Sequence, residues 1–340
     1  MANERSKAVD VTKGIGIILV VVAHVERGLG NSGILSAQGI VSAADRFIYA
    51  FHMPLFFVMA GLFLPRAAER PLGTFLKDRI LRSGYPYVVW VTIQSAIQIL
   101  LSRHTNNPMH LSDLIAAAYA GPMQFWFIYA LLVQSILFGV IWKLKVGRGG
   151  FFVITAVLWA LAPWTPDPHF VPALQAREYL PYLAVGVLLG EPSIFERLSN
   201  GLARVAGPVI VGGYLTVFAV VRWGPPEIRV LPILAGLAGT LATLSLSIVL
   251  TRRGRGAHLA MLGQASLAIY CVHTIASAGI RIALQKVLRT DNAAIHFLMG
   301  TLAGLYLPLG LIWLSRRTPF PDLFELPRRR DASLRVAPAG

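Results

Sequence analysis

The chain has 340 residues, of which 55% are apolar and 14% carry a charge. A soluble domain carries about 25% charged residues, so this composition excludes a water-facing globule and predicts a membrane protein. Cys271 is the only cysteine, which excludes an internal disulfide and a cysteine-based zinc site. A net charge of +15 would favour nucleic acid as the partner of a soluble protein, but in a membrane protein it serves to orient the helices.

Apolar runs follow one another along the sequence, and each membrane crossing needs about 20 such residues. We therefore predict an all-α, polytopic membrane helix bundle with about ten transmembrane helices. They lie near residues 14–30, 47–64, 85–102, 123–142, 150–164, 177–190, 208–223, 230–250, 262–284 and 295–314. Pro54 and Pro181 fall inside two of them and predict kinks, which packed neighbours tolerate in membranes. We divide the chain into a transmembrane domain, 1–317, and a flexible cytoplasmic tail rich in Pro and Arg, 318–340.

Basic residues predict the orientation of these helices. With the N-terminus in the cytoplasm, more than two thirds of the 31 Lys and Arg residues fall on the cytoplasmic side. Cytoplasmic segments of membrane proteins carry an excess of Lys and Arg. Both termini are therefore expected in the cytoplasm, with an even number of crossings. No small-residue cleavage site follows the first apolar run, so we expect no cleavable signal peptide.

The first predicted helix carries Lys13 and His24. Eleven residues at about 100° each return to nearly the same helix face, and the rise separates the two side chains by about 16 Å along the axis. Ionisable groups at membrane depth are costly and are functional candidates by default. The spacing alone also allows an orienting charge at Lys13 and a packed histidine at His24.

The second and third helices add His52, Arg79 and Arg82. His52 lies two residues before Pro54 and is either a site residue or a partner of the helix kink. The two arginines share a helix face at i, i+3, just cytoplasmic of the third helix. Paired guanidiniums suit bidentate binding of phosphate, whereas the alternative is ordinary positive-inside charge or contact with lipid headgroups.

Two later helices carry further polar candidates. Trp126, next to Gln124 at the start of the fourth helix, is either an interfacial anchor or a pocket residue. Ser266, Tyr270 and His273 form a polar stripe at i, i+4, i+7 on the ninth helix. Such a stripe makes hydrogen bonds between helices or lines a site. The sequence contains no glycine-rich phosphate loop, HExxH or GxSxG motif, and no metal site is expected.

Five segments in chain order carry a family resemblance. They are 10–17 with His24, 51–57 with Gly61, Arg79-x-x-Arg82 with 85–87, 125–128, and 266–273. In these segments the chain resembles the acyltransferase-3 family of membrane O-acyltransferases, and most closely its short sugar O-acetylases, which include nodulation-factor fucose acetylases. Two positions depart from the family pattern: Ala60 stands where Ser is common, and Lys13 stands where many members carry Arg.

The resemblance implies a bacterial inner-membrane enzyme that moves an acyl group from cytoplasmic acyl-CoA to a sugar hydroxyl of a cell-surface or exported glycan. Acetyl is the expected acyl group. His24 and Lys13 would be catalytic, with His24 as the general base for direct transfer rather than the carrier of an acyl-imidazole. Arg79 and Arg82 would bind the donor. The residues that would bind or orient substrate are His52, Trp126, Ser266, Tyr270 and His273.

No bound cofactor is expected, and acyl-CoA is a substrate. The expected partners are acyl-CoA, a glycan or lipid-linked sugar, and membrane lipids, without nucleic acid. The alternative function is a secondary transporter or flippase for a small anionic or glycan solute. In that case the buried pair His24 and His273 would form a proton relay.

Overall fold

The computed structural model describes residues 2–36, 40–100, 123–167, 171–225, 227–315, 317 and 323–324. All regular structure within these ranges is helical, which confirms the predicted all-α class. The first six helices are α1 Ala2–Asn31, α2 Ile40–Tyr49, α3 His52–Gly61, α4 Leu64–Ala68, α5 Leu72–Arg79 and α6 Tyr85–Leu100. The next five are α7 Trp126–Lys143, α8 Gly147–Leu161, α9 Val171–Leu189, α10 Pro192–Arg204 and α11 Ala206–Trp223. The last four are α12 Val230–Arg252, α13 Ala257–Gln264, α14 Ser266–Lys286 and α15 Ala293–Ser315.

Seven of the described helices are long and apolar enough to cross a membrane. They are Lys7–Asn31, Trp126–Lys143, Gly147–Trp164, Ala206–Trp223, Val230–Arg252, Ser266–Lys286 and Ala293–Ser315. The other three predicted crossings fall on α2 and α3, on α6, and on α9. The polytopic membrane class is therefore confirmed, whereas the count of ten crossings and the cytoplasmic termini stay predictions.

The predicted helix 47–64 is divided rather than continuous. Helix α2 ends at Tyr49 and α3 begins at His52. Pro54 has no backbone N–H to donate to the carbonyl of Ala50, so an unbroken helix would lose that hydrogen bond and clash there. The chain bends before Pro54 instead, whereas α9 continues through Pro181. The bend at the α2–α3 junction places Tyr49 and His52 beside the candidate site described below.

Glycines set the closest helix crossings. Gly61 of α3 faces Gly186 of α9, and a Cβ on either would overlap the backbone of the opposite helix. Gly14 of α1 and Gly263 of α13 make the same kind of crossing. In lipid there is little hydrophobic drive between helices, so close van der Waals packing over small residues holds such pairs together.

Helix α1 lies at the centre of the bundle and α11 at its edge. The apolar window of α1 is 61% buried, whereas that of α11 is 6% buried. Helix α1 packs against α3, α12, α13, α14 and α15, so side chains along its length face protein rather than lipid. A polar residue on α1 is therefore placed to take part in an internal site.

Two residues of the predicted tail are described. The indole N–H of Trp90 in α6 donates to the carbonyl oxygen of Leu323, 3.0 Å away. The Trp90 ring also stacks on Phe324, with 5.2 Å between ring centres. Apart from these two residues, the predicted tail 318–340 lies outside the described residues.

Candidate functional site

A cavity of about 570 Å³ opens at the end of the bundle away from the N-terminus of α1. The ends of α1, α6, α7, α14 and α15 surround it. Two predicted site residues, His24 and Trp126, line its wall together with Tyr49. Polar residues that complete the wall include Gln94, Gln124, Thr274, Arg281 and His296. This is an open, largely apolar pocket with convergent polar groups, the usual character of a small-molecule site.

His24 presents a defined tautomer to this cavity. Its ring Nδ1 lies 2.9 Å from the carbonyl oxygen of Val20. A carbonyl oxygen only accepts hydrogen bonds, so Nδ1–H is the donor and the lone pair of the neutral ring is on Nε2. The half-buried imidazole can therefore accept a proton at Nε2, the property that a general base needs.

His52 and His273 repeat this arrangement away from the cavity wall. Their Nδ1 atoms lie 2.8 Å from the carbonyl oxygen of Ile48 and 3.0 Å from that of Ile269. Both rings are fully buried. Each Nε2 atom has no hydrogen-bond partner among the described residues. The Nδ1–H bonds thus fix the orientation of both rings beside the cavity.

The structure brings the three predicted histidines together. The rings of His24 and His273 meet edge to face, with centres 4.9 Å apart. Tyr49 stands between His24 and His52, with ring centres 6.3 Å and 4.6 Å away. In the part of the chain that the structure describes, no group of three or more His, Cys, Asp and Glu side chains is arranged to bind a metal ion. The cluster thus provides proton acceptors and hydrogen-bonding groups.

Arg27 fixes the outer wall of the cavity. Its Nε and Nη2 atoms donate to the two carboxylate oxygens of Asp45, at 2.8 Å and 2.9 Å. Its guanidinium carbon lies 3.3 Å from the centre of the Tyr49 ring. Arg27 is not among the site residues predicted from the sequence. Its position three residues after His24, on the same helix face, was the signal that could have identified it.

An amide network in the cavity wall joins α6, the turn Met123–Phe125 that precedes α7, and α14. The side-chain amide of Gln124 donates to Gln94 Oε1 at 2.8 Å and to Thr274 Oγ1 at 2.9 Å. The hydroxyl of Tyr270 donates to the backbone oxygen of Gln124. Of the predicted stripe, Tyr270 makes a hydrogen bond to another segment, whereas His273 donates to carbonyls of its own helix. Ser266 lies at the first residue of α14 and does not line the cavity.

Lys13 lies farther toward the N-terminal end of α1 and does not reach the cavity. Its Nζ atom is 3.6 Å from Asp10 Oδ1. The other oxygen of Asp10 accepts a hydrogen bond from Gln264 Nε2 at 3.1 Å. Because α1 is continuous from Ala2 to Asn31, the rise of the helix still separates Lys13 from His24 by about 16 Å along its axis.

Arg79 and Arg82 converge on one carboxylate. Arg82 Nε donates to Asp78 Oδ1 at 2.8 Å, and Arg79 Nη2 donates to Asp78 Oδ2. Burial raises the pKa of Asp78, but the two guanidiniums outweigh that effect and hold the pKa below its ordinary value. The three side chains therefore carry one net positive charge. A π-helical turn, Ile80–Gly84, follows Arg79 directly, and such turns are frequent at functional sites.

The arginine cluster lies beside the middle of α7, where Gly84, two residues after Arg82, faces Leu132, whereas the cavity lies at the first residue of α7. Phe75 of α5, four residues before Arg79, packs against Gly139 near the last turn of α7. Trp126, the first residue of α7, lines the cavity. The thirteen residues between Trp126 and Gly139 span about 20 Å of helix. Along the chain, twelve residues or about 18 Å of helix separate Arg82 from Gln94 on the cavity wall, so the predicted donor residues do not line the cavity that His24 lines.

Residues 6–315, which include every candidate side chain above, match the acyltransferase-3 family, described as an acyltransferase domain. Two curated relatives carry the name nodulation protein NolL. The chain is 28% identical over 195 residues to the protein of Mesorhizobium japonicum and 26% identical over 217 residues to that of Sinorhizobium fredii. These alignments cover 56% and 60% of the chain, and 49% and 53% of the relatives. The chain thus spans about half the length of the curated relatives it matches. No solved structure matches it.

Proposed function

Since the chain belongs to the acyltransferase-3 family, we propose that it transfers an acyl group, acetyl in the first instance, from acyl-CoA to a hydroxyl group of a glycan. The family match confirms the resemblance found in the sequence, and it favours an acyltransferase over the alternative of a transporter. The five segments that resemble sugar O-acetylases support a sugar as acceptor. Their helices bring His24, His52 and His273 into one cluster.

The observation that carries this function is His24 on the wall of a 570 Å³ cavity with its lone pair on Nε2. A sugar hydroxyl becomes a better nucleophile as it loses its proton, and imidazole accepts protons near neutral pH. In the reaction the hydroxyl oxygen attacks the thioester carbonyl while its proton moves to Nε2. The tetrahedral intermediate then expels the CoA thiolate, which takes up that proton.

The donor enters from the opposite end of the bundle, which the charge distribution assigns to the cytoplasm. Acyl-CoA carries several phosphates and does not cross lipid. Arg79 and Arg82, whose cluster keeps one net positive charge, bind those phosphates. The extended pantetheine arm then delivers the thioester along the bundle toward His24. Lys13 lies on α1 between the N-terminus of that helix and His24, where its positive charge would help to hold the donor.

Donor and acceptor are bound together in this scheme, because the groups proposed to bind them do not overlap and direct transfer needs both substrates in one complex. Direct transfer then requires the reacting atoms to approach to about 3 Å within one complex. Initial-rate plots at several acceptor concentrations should therefore intersect. Parallel plots, with labelled acyl group trapped on His24 in the absence of acceptor, would establish a covalent relay instead.

The test uses purified full-length protein in lipid nanodiscs, with labelled acetyl-CoA and surface glycan isolated from a strain that lacks this protein. We expect label on the glycan. We expect His24→Ala to lower the rate by about 100- to 10,000-fold, the usual contribution of a general base. His258→Ala is the matched control, because His258 is exposed and bonds Tyr306 outside the cavity. Glycan transport without thioester consumption would overturn the assignment in favour of a transporter.

A further inference from the structure

A second cavity, of about 510 Å³, lies among α8, α9, α11, α12 and the bend between α2 and α3. None of the residues predicted from the sequence as a site lines it. We propose that this cavity binds further sugar units of the same acceptor glycan, so that the enzyme recognises an oligosaccharide and not a single sugar. This inference rests on the proposed function, since it concerns the acceptor of that reaction.

The two cavities are neighbours that share a wall. Tyr49 lines both of them. Trp126 lines the first cavity and Tyr179 lines the second, and their ring centres are 5.1 Å apart. If one sugar of the acceptor glycan lies beside His24, the neighbouring sugar would contact Tyr49 or Trp126. Sugars farther along the glycan would then lie in the second cavity. The second cavity is therefore adjacent to the site of the reaction.

The lining of the second cavity suits a sugar. Its aromatic wall contains Trp159, Tyr179 and Tyr182. Trp and Tyr combine a flat apolar face with a polar edge, and a pyranose ring likewise offers apolar C–H faces and peripheral hydroxyl groups. Between these rings lie Glu178 and Arg229, whose charged atoms approach to 3.5 Å. Carboxylate and guanidinium together provide acceptors and donors for hydroxyl groups.

Arg46, Arg229 and Glu178 give the lining one net positive charge, which is too little cationic charge for a polyanion. Arg229 pairs with Glu178, which also lies 3.6 Å from Arg177. The guanidinium of Arg229 lies 4.7 Å from the ring centre of Trp159. Arg46, the second arginine of the lining, already donates to Ser42 Oγ at 2.6 Å. The side chains of Arg229 and Glu178 are 36% and 39% exposed, so their polar atoms are accessible to the hydroxyl groups of a sugar, whereas a lipid acyl chain has no group to bond them. A hydroxyl-rich ligand matches the lining better.

The test compares acceptors of different length. We expect wild-type protein to have a lower KM for an oligosaccharide than for the monosaccharide that is acylated. Trp159→Ala should raise the KM for the oligosaccharide by about tenfold, which corresponds to the loss of one aromatic contact. It should leave the KM for the monosaccharide and for acetyl-CoA unchanged. Trp164→Ala is the matched control, because Trp164 follows Trp159 by five residues, is 79% exposed and does not line the cavity.

Three results would distinguish an error in the proposed function from an error in the role assigned to the second cavity. If the wild type acylates no glycan at all, the proposed function itself is wrong. If it acylates both acceptors with the same KM and the two tryptophan variants behave alike, the second cavity is not part of the acceptor site. A phospholipid that native mass spectrometry finds on the wild type but not on Trp159→Ala, with an unchanged oligosaccharide KM, would assign the cavity to lipid and overturn the inference.

Discussion

His24, His52 and His273 each donate Nδ1–H to the backbone carbonyl four residues earlier. In the sequence, their positions within apolar runs and in the family segments identified the three histidines as separate site candidates. Their common tautomer depends on side-chain rotamers, which the sequence does not specify. Tyr49 was not predicted, because a tyrosine in an apolar run carries no signal until the bend at Pro54 turns it toward the cavity.

Arg79, Arg82 and Asp78 give the first prediction at the level of residues. Replacing either arginine by Ala should raise the KM for acetyl-CoA more than it lowers kcat, because contacts to the nucleotide are similar in the ground state and the transition state. Each lost charge-assisted contact costs about 1.5–3 kcal/mol. Asp78→Asn should also raise the KM, since Asp78 positions both guanidiniums. Steady-state kinetics of the purified variants measures these effects.

Acetyl-pantetheine is the control donor, because it lacks the nucleotide and its phosphates. The arginine variants should use it as well as the wild type does. Lys77→Ala, a neighbouring exposed cation, should leave the KM for acetyl-CoA unchanged. Equal KM values in wild type and both arginine variants, at low and high salt, would show that the pair serves only to orient the helices.

At the level of elements, the apolar runs of the sequence predicted the positions of most helices in the bundle. The structure differs from that prediction at a proline and at a π-helical turn. Pro54 was expected to kink a helix, and the result is a complete break at Ala50 and Phe51. The π-helical turn after Arg79 was not predicted. One additional residue within a helical turn leaves the hydrophobic pattern almost unchanged, so periodicity does not detect it.

The second prediction concerns the crossing of α3 and α9. Gly186→Ala would place a methyl group against the backbone of α3, where the nearest atom is the carbonyl oxygen of Val58. Overpacking of this kind costs about 1–3 kcal/mol, so the variant should unfold at a lower temperature in detergent than the wild type. Fluorescence-monitored thermal unfolding measures the difference.

Gly212→Ala is the matched control for this crossing. Gly212 lies within α11, and a Cβ built there meets no atom within 4 Å. Alanine is also the better helix former, so the control should equal or exceed the stability of the wild type. If Gly186→Ala and Gly212→Ala unfold at the same temperature, the α3–α9 crossing does not limit the stability of the bundle.

For the whole molecule, the sequence predicted a membrane-embedded helical bundle, and the structure and the family match confirm that class. It did not predict the cavities. Gln94 and Thr274 are 180 positions apart, yet their side chains are hydrogen-bonded. Such a contact depends on how α6 and α14 pack against each other. In the sequence, uncharged polar residues of this kind look the same whether they line a cavity or make an ordinary contact between helices.

The third prediction is the orientation of the bundle. Reporters fused after Leu64, Gly147 and Arg253, and at the C-terminus, should be active in the cytoplasm. Reporters near Arg103, Pro168 and Arg289 should be active on the opposite side, because basic residues concentrate on the cytoplasmic face. Paired fusions to alkaline phosphatase and green fluorescent protein at each site measure this. A C-terminus outside the cytoplasm would contradict the ten-helix topology and the entry side assigned to acyl-CoA.

The glycine crossings have a genetic consequence. All glycine codons share their first two bases, and any change in either base introduces a side chain or a stop. At Gly14, Gly61, Gly186 and Gly263 the added carbon would overlap the backbone of a facing helix. Third-position changes at these codons are silent. In a saturation library selected for activity, these four codons should therefore retain variation almost entirely at the third base, whereas the codon for Gly212 should accept alanine freely.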